Sequence, residues 1–204
     1  MKINKKKFLY LISPNKILKS FYGDLVEVLK SKKISFFQLR LKKENYKNKL
    51  KISKKIKKIC KQYKVKFLIN DDPKLAKQIN ADGCHLGQKD MHINDAKKIL
   101  KNKIIGMTCH NSIKLAEKAI GNNANYIAFG AFNTTKTKKV KFRANIKTIK
   151  KLKKISNIPI VAIGGIDNLN YKKLLLNKAD FLAISGYIWN NKKLKPIDAI
   201  KLLK

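Results

Sequence analysis

Carboxylates and an amide stand directly after two short apolar runs of this sequence. One run ends in Asn70-Asp71-Asp72, and the next is followed by a turn that ends at Asp90. Asp72 precedes a proline, so we interpret it as a helix cap. Asp71 and Asp90 would end adjacent parallel strands and could share one hard cation. Mg²⁺ typically takes one or two carboxylates and completes its shell with waters and substrate phosphates. A cap is the alternative for Asp71, and we favour the metal ligand.

Cations follow two other apolar runs. Arg40 and Lys42 come directly after a predicted buried strand, where a guanidinium can bind phosphate oxygens through two parallel hydrogen bonds. Further along, Thr135-Lys136-Thr137-Lys138 offers two hydroxyls, loop amides and an ammonium together. These segments predict phosphate binding. For any single lysine of this chain, a solvated surface position is the alternative.

Glycines end two later runs, at Gly164-Gly165 and at Ser185-Gly186. Backbone amides can approach a phosphate closely only where no side chain intervenes, and barrel enzymes often bind a phosphate with their last two loops. We therefore predict a second phosphate site here. Tight turning is the alternative for the glycine pair.

Histidines and cysteines give weaker signals. His85 lies within a predicted strand and is interpreted as a packed residue, and His92 as a surface residue near a helix start. His110 either faces the site or begins a helix. Three cysteines cannot all pair and none is in a CxxC motif, which argues against a disulfide scaffold or a zinc ribbon. We predict buried or half-buried thiols without a neighbouring base at Cys60, Cys84 and Cys109.

The elements that must position these residues alternate along the chain. Short runs rich in Ile, Val, Phe and Leu predict strands, and the Lys-rich amphipathic stretches between them predict helices. The predicted strands are Phe8–Ser13, Ser35–Leu39, Lys66–Ile69, Gly83–Leu86, Ile104–Met107, Tyr126–Phe129, Pro159–Ile163 and Phe181–Ile184. The predicted helices cover about 15–30, 44–64, 73–79, 93–101, 111–121, 145–155, 168–177 and 190–203.

Continuous apolar runs such as Ile158–Ile163 are typical of parallel strands buried on both faces. Eight strand–helix units predict an α/β fold, the (β/α)8 TIM barrel, as one domain over residues 1–204. In this fold the chemistry lies at the carboxyl ends of the strands, where the polar residues stand.

Composition separates a solvated surface from a nucleic-acid interface. The 204 residues carry a net charge of +37, but 47 of the 49 basic residues are lysines spread along the whole chain. Base and phosphate readers usually use planar arginine forks, so we expect solvated lysine faces and no specific nucleic-acid partner. No apolar run approaches the ~20 residues of a membrane span. The apolar patch Phe8–Ile12 is too short for a signal-peptide core, and we expect a cytoplasmic protein.

Taken together, the strand-end motifs closely resemble those of thiamine-phosphate synthases, from the first strand to the eighth. The segments that carry the resemblance are Gln38-Leu-Arg-Leu-Lys42, Asn70-Asp71, Ala81-Asp-Gly-Cys-His-Leu-Gly-Gln-Lys-Asp90, Gly106-Met-Thr-Cys-His110, Thr135-Lys-Thr-Lys138 and Val161-Ala-Ile-Gly-Gly-Ile166. The resemblance implies a (β/α)8 transferase. It would join 4-amino-5-hydroxymethyl-2-methylpyrimidine diphosphate to 4-methyl-5-(2-phosphoethyl)thiazole, or its carboxylated form, with Mg²⁺. The products would be thiamine phosphate and pyrophosphate.

The resemblance also assigns residues to each substrate. It places Mg²⁺ on Asp71 and Asp90. The pyrimidine diphosphate would contact Gln38, Leu39, Arg40, Leu41, Lys42, Asn70, Thr108 and Lys138. The thiazole phosphate would contact Thr135, Lys136, Thr137, Gly165, Ile184 and Ser185. The catalytic residues among these would be Arg40, Lys42, Lys138 and Thr108.

Three positions depart from the family pattern. Thr108 replaces the usual serine, Ala131 stands where proline is frequent, and Asn133 where an aromatic residue is frequent. None of them removes a charged group. The implied reaction is a dissociative substitution in which cations stabilise the leaving pyrophosphate, so no enzymic nucleophile is required.

Two other functions stay open. A related barrel, a thiazole tautomerase, would transfer a proton through a histidine such as His110, and would not need Asp71, Asp90 and Lys138 together. A non-catalytic polyanion-binding barrel would show steeply salt-dependent DNA binding. We expect small-molecule substrates and no membrane partner, and the oligomeric state, including a homo-oligomer, stays open.

Overall fold

Eight parallel strands close into a barrel in the computed structural model, which describes residues 7–134 and 142–203. Each strand pairs with the next in the chain, and β8 pairs with β1. The strands are β1 (Leu9–Ile12), β2 (Ile34–Leu39), β3 (Lys66–Asn70), β4 (Gly83–Leu86), β5 (Ile104–His110), β6 (Tyr126–Gly130), β7 (Ile160–Ile163) and β8 (Phe181–Ile184). The predicted (β/α)8 barrel is confirmed.

Helices connect successive strands and cover the outside of the barrel. They are α1 (Phe21–Lys30), α2 (Tyr46–Gln62), α3 (Pro73–Gln78), α4 (Ile93–Leu100), α5 (Ile113–Gly121), α6 (Ile146–Ile155), α7 (Tyr171–Leu176), α8 (Gly186–Trp189) and α9 (Pro196–Lys201). Asp72 caps α3 by accepting a hydrogen bond from the Leu75 amide at 2.9 Å, as predicted. No helix within the described ranges is both long and apolar enough to cross a membrane.

Two predicted helix boundaries are wrong. The first helix begins at Phe21 and not near residue 15. The helix predicted over 190–203 also begins too early: the short α8, directly after β8, ends at Trp189 before this range, and α9 begins at Pro196. Proline is well tolerated at the first position of a helix and poorly in its interior, which explains why α9 begins at Pro196.

Side chains alternate between the inside of the barrel and the helices along each strand. On β2, Phe37 and Leu39 pack into the core shared with the helices, whereas Phe36 faces inward. The inward residues form a separate apolar group, here called the interior cluster: Tyr10, Ile12, Phe36, Leu68, Tyr126, Ala128, Val161, Phe181 and Ala183. The same alternation places Gln38, His85 and Thr108 inside the barrel.

One local motif repeats at the amino ends of three strands. Asp82, Asn125 and Asp180 each precede a strand and accept a hydrogen bond from an amide of the strand before it. The donors are Phe67, Ile105 and Ile160, at 2.9, 2.8 and 2.7 Å. These contacts fix strand register at the end of the barrel opposite the predicted site.

Candidate functional site

The two predicted metal ligands lie together at the carboxyl ends of β3 and β4. Asp71 has a φ of +63°, a left-handed conformation that aspartate tolerates better than most residues. Asp90 accepts a hydrogen bond from the Gly87 amide at 2.7 Å, and the two carboxyl groups share a hydrogen bond. Turn geometry on each side therefore aims both groups at one point.

The two carboxyl groups have pKa values shifted in opposite directions. Burial raises the pKa of Asp90, and the neighbouring Asp71 raises it further. Burial also acts against ionisation of Asp71, but hydrogen bonds with Asp90 and Lys42 leave its pKa below the usual range. The opposite shifts show that the two carboxyl groups interact, in a place where two hard oxygen ligands converge.

The donor chemistry of this pair fits a magnesium ion. Two carboxylates are the protein share that Mg²⁺ commonly takes. Within residues 7–134 and 142–203 no three His, Cys, Asp or Glu side chains gather into a larger ligand group. Any magnesium ion bound here would need further oxygen ligands from water or substrate.

A cleft of 330 Å³ lies beside Asp71, between the first turns of α2 and α3. Lys42 also lines the cleft and forms an ion pair with Asp71, with Nζ 2.8 Å from Oδ2. Asn70 lines the same cleft, as do the buried Leu39 and Leu41. Five of the predicted pyrimidine diphosphate residues and metal ligands are thus brought together.

Arg40 stands apart from the carboxylates. Its backbone amide donates to the buried Ser13 hydroxyl at 2.9 Å, which ties the end of β2 to the end of β1. Its guanidinium lies 3.4 Å from the Asn15 side-chain oxygen. Among the residues placed by the structure, no carboxylate forms an ion pair with Arg40. The guanidinium therefore has no carboxylate to displace among these residues and can bind an anion.

The glycine pair after β7 adopts left-handed backbone conformations, with φ of +102° at Gly164 and +61° at Gly165. A Cβ on Gly165 would lie 2.3 Å from the Thr134 carbonyl oxygen, and one on Gly164 would lie 2.4 Å from the Ala131 Cβ. The amide of Asn133 donates to the Gly164 carbonyl at 3.0 Å. The close approach that requires glycine is therefore to the loop after β6, which carries two of the three departures from the family pattern.

The end of β8 is packed and tied to β1. Ile184 is buried, and the Ser185 hydroxyl donates to the Ser13 carbonyl at 3.1 Å. The Trp189 indole of α8 donates to the Ile12 carbonyl at 2.8 Å. Ser185 thus stands at the predicted strand end with its hydroxyl already engaged.

Polar side chains inside the barrel form a buried chain that joins two predicted substrate ligands. The Gln38 amide nitrogen lies 2.9 Å from the Tyr10 hydroxyl, which lies 2.8 Å from the Tyr126 hydroxyl. His85 contacts Tyr126 through Nδ1 and Thr108 through Nε2, both at 2.8 Å. Burial lowers the pKa of His85 to about 4, so the imidazole is neutral at physiological pH. His85 is buried, in agreement with its interpretation as a packed residue, but its two hydrogen bonds were not predicted.

The remaining histidines and the cysteines lie off this chain. His110 has a φ of +53°, and its ring stacks on Phe142 at 4.2 Å between centroids. His92 caps α4. All three cysteines are buried, and burial raises the pKa of the Cys109 thiol to about 12. The thiols are therefore not poised as nucleophiles.

Four predicted site residues lie outside the described part of the chain. They are Thr135, Lys136, Thr137 and Lys138, and their roles stay predictions.

Sequence reasoning missed several residues that the structure places at the site. Lys49 lines the cleft from α2, a helix interpreted as a solvated lysine face. Ser13 and the tyrosines at 10 and 126 were also missed. The tyrosines did leave a signal, since both stand at inward positions of otherwise apolar strands, where a buried hydroxyl needs a partner.

Fold and site together define a (β/α)8-barrel enzyme whose strand ends gather carboxylates, cations and close-packed glycines. A family model described as thiamine monophosphate synthase matches residues 9–188. A thiamine-phosphate synthase of Pelagibacter ubique is 72% identical over the whole of both chains. One from Saccharophagus degradans is 39% identical, covering 78% of this chain and 74% of its own.

The solved structure of a thiamine phosphate pyrophosphorylase from Pyrococcus furiosus superposes with a TM-score of 0.86 at 27% identity. The match covers 98% of this chain and 94% of that one. The chain belongs to the thiamine monophosphate synthase family, and it is an enzyme, a transferase.

Proposed function

We propose that the protein joins 4-amino-5-hydroxymethyl-2-methylpyrimidine diphosphate to 4-methyl-5-(2-phosphoethyl)thiazole, or its carboxylated form. The products are thiamine phosphate and pyrophosphate. The observation that carries the proposal is the Asp71–Asp90 pair beside Lys42, with Asp71 and Lys42 lining the cleft. A diphosphate group requires cations or a metal at its oxygens, and this place offers the Lys42 ammonium and two carboxylates that could hold a metal.

The diphosphate is the leaving group of the proposed reaction. The bond between the pyrimidine methylene carbon and the diphosphate oxygen breaks, and its electron pair leaves with the diphosphate. The thiazole nitrogen then forms the new carbon–nitrogen bond with its lone pair. Arg40 and Lys42 stabilise the charge that grows on the departing oxygens, and Lys138 is proposed to join them.

Asp71 and Asp90 are proposed to hold Mg²⁺, which supplies positive charge for the diphosphate oxygens. Lys42 already pairs with Asp71, so its ammonium lies next to the carboxylates that would carry the ion. The barrel walls hold the two rings in line and exclude water from the reactive pyrimidine carbon.

The thiazole phosphate is proposed to bind between the loops after β6, β7 and β8. Support comes from the left-handed glycines at 164 and 165, which let the β7 loop pack closely against the β6 loop. Barrel enzymes frequently bind a phosphate at the last two loops. The hydroxyls of Thr135 and Thr137 are proposed to complete this site.

The proposed function is tested by incubating the full chain with both substrates and magnesium and measuring thiamine phosphate and pyrophosphate. We expect equal amounts of the two products, and none when either substrate or the metal is omitted. Rearrangement of the thiazole without pyrophosphate release would instead identify a tautomerase. Salt-sensitive DNA binding without turnover would identify a polyanion-binding barrel.

Gly165→Ala should weaken binding of the thiazole phosphate much more than binding of the pyrimidine diphosphate. A methyl group at this position meets the Thr134 carbonyl at 2.3 Å and adds left-handed strain, so the loops must move apart. We expect KM for the thiazole to rise about tenfold, as for the loss of one good hydrogen bond to a charged group.

The matched control for this prediction is Gly23→Ala, because a Cβ on Gly23 of α1 meets nothing within 4 Å. Its KM values should equal those of the wild type. If Gly165→Ala raised both KM values equally, the thiazole phosphate would not bind at this loop.

A further inference from the structure

The buried chain of hydrogen bonds inside the barrel has a direction set by its first member. The Gln38 amide nitrogen donates to the Tyr10 oxygen at 2.9 Å, since an amide nitrogen cannot accept. The Tyr10 hydroxyl must then donate its own hydrogen bond to a different acceptor. Among the described residues, its other hydrogen-bond partner is the Tyr126 oxygen at 2.8 Å, so Tyr10 donates to Tyr126.

The same counting fixes the next two bonds. Having accepted from Tyr10, the Tyr126 hydroxyl must donate to Nδ1 of His85, at 2.8 Å. A nitrogen that accepts carries no proton, so the imidazole proton lies on Nε2. It points to the Thr108 oxygen, also at 2.8 Å. Reversing any link would leave a buried hydroxyl proton without an acceptor, a cost that folded proteins avoid.

The last proton of the chain belongs to Thr108. This residue lies at the carboxyl end of β5, is half-buried and faces the inside of the barrel. Its oxygen accepts from His85, and no residue within the described ranges takes up its hydroxyl proton. The proton is therefore available at the end of the barrel where Asp71 and Asp90 lie.

We propose that this chain holds His85 as its Nε2–H tautomer and thereby makes Thr108 a hydrogen-bond donor to an anionic oxygen of the pyrimidine diphosphate. Tyr10, Tyr126 and His85 are then positioning residues, which act through Thr108 and do not touch the diphosphate. The inference rests on the proposed function for the identity of the anion, and the tautomer rests on the orientation of the Gln38 amide, whose nitrogen faces Tyr10.

Packing holds the chain in this arrangement. The rings of Tyr10 and Tyr126 meet edge to face at 5.8 Å, and Phe36 packs against both at 5.4 and 6.2 Å. Gly106 makes room for the Tyr126 ring, because a Cβ there would lie 1.9 Å from its Cζ. The hydroxyls therefore have little freedom to find other partners, and the direction of the chain is built into the core.

The tautomer is measured by nitrogen NMR of the full chain labelled at its three histidines. His85→Gln identifies the His85 signal by its loss. We expect the neutral Nε2–H form in the wild type and a mixture of tautomers in Tyr126→Phe, which lacks the donor to Nδ1. An Nδ1–H form in the wild type would overturn the inference. This readout needs no turnover, so it stands apart from the outcome of the synthase assay.

Kinetics then test whether the chain acts through Thr108. We expect Tyr126→Phe to lower kcat about tenfold with KM for the thiazole unchanged, and Thr108→Val to lower it at least as much. Because the two residues act on one contact, the double variant should be no slower than Thr108→Val alone. If the fold-losses of kcat in the two single variants multiplied in the double variant, the two residues would act independently and the proposed coupling would be overturned.

Phe36→Leu is the matched control for packing. It removes volume from the same interior cluster, beside both tyrosines, and leaves all four hydrogen bonds in place. Its melting temperature should fall while kcat stays within about twofold of the wild type, since core substitutions that keep polar contacts mainly change stability. If Phe36→Leu lowered kcat as much as Tyr126→Phe does, the role of Tyr126 would be packing alone.

Discussion

Asp71→Asn and Asp90→Asn should each lower kcat by about a hundredfold or more and leave the barrel folded. Each change removes one of the two carboxylates proposed to hold the ion that neutralises the leaving diphosphate. Asparagine tolerates the left-handed backbone at position 71 as well as aspartate does. The lost ion pair with the half-exposed Lys42 contributes little to stability.

Asp95→Asn is the matched control for this pair of variants. Asp95 is exposed in the first turn of α4, five residues beyond Asp90, and forms an ion pair with Lys98 of its own helix. The Asp95→Asn variant loses the same charge at a position away from the cleft and should keep full activity. Measuring kcat across a magnesium titration, with melting temperature as a check of folding, separates lost metal binding from lost structure. Wild-type turnover in either site variant at ordinary magnesium would contradict the metal assignment.

The barrel itself was predictable because its signals are local. The runs Gly83–Leu86 and Phe181–Ile184 coincide with β4 and β8, since each is a short buried run bounded by polar residues or glycine. The polar residues that follow such runs must meet at one end of a parallel barrel, so the pairing of Asp71 with Asp90 could be predicted as well.

The errors lie where local signals compete. The residues between β8 and α9 contain two asparagines and several lysines, a composition that suits both a helix surface and a loop. Contacts distant in sequence decide the outcome, since the Trp189 indole donates to the Ile12 carbonyl and holds α8 against β1. A pattern along the chain contains no information about that partner.

The interior hydrogen-bond chain was out of reach for the same reason. Tyr10 and Tyr126 are 116 residues apart in the sequence, and His85 of β4 contacts Thr108 of the neighbouring strand β5. Alternation predicts that such residues face inward but not which of them touch. For the glycine pair, the sequence predicted a close approach to a phosphate, which stays a prediction, and it did not predict the close approach to the loop after β6 that the structure shows.

Lys138→Met should lower the rate of the chemical step more than it weakens pyrimidine diphosphate binding. The prediction rests on the sequence, because residue 138 lies outside the described ranges. In Thr135-Lys-Thr-Lys138 the final ammonium would meet charge that grows as the carbon–oxygen bond breaks. A contact that strengthens in the transition state changes kcat and not only KM, and losing one such contact commonly costs ~3 kcal/mol, about a hundredfold in rate.

Single-turnover kinetics at saturating substrates measure this step directly. Lys154→Met is the control, since it removes the same charge from an exposed position on α6 and should leave the rate unchanged. Lys138→Arg keeps the charge but not the compact ammonium, so it should recover part of the rate. An unchanged single-turnover rate with weakened binding would make Lys138 a docking residue. In that case the charge on the leaving group would be met by Arg40, Lys42 and the ion held by the two aspartates.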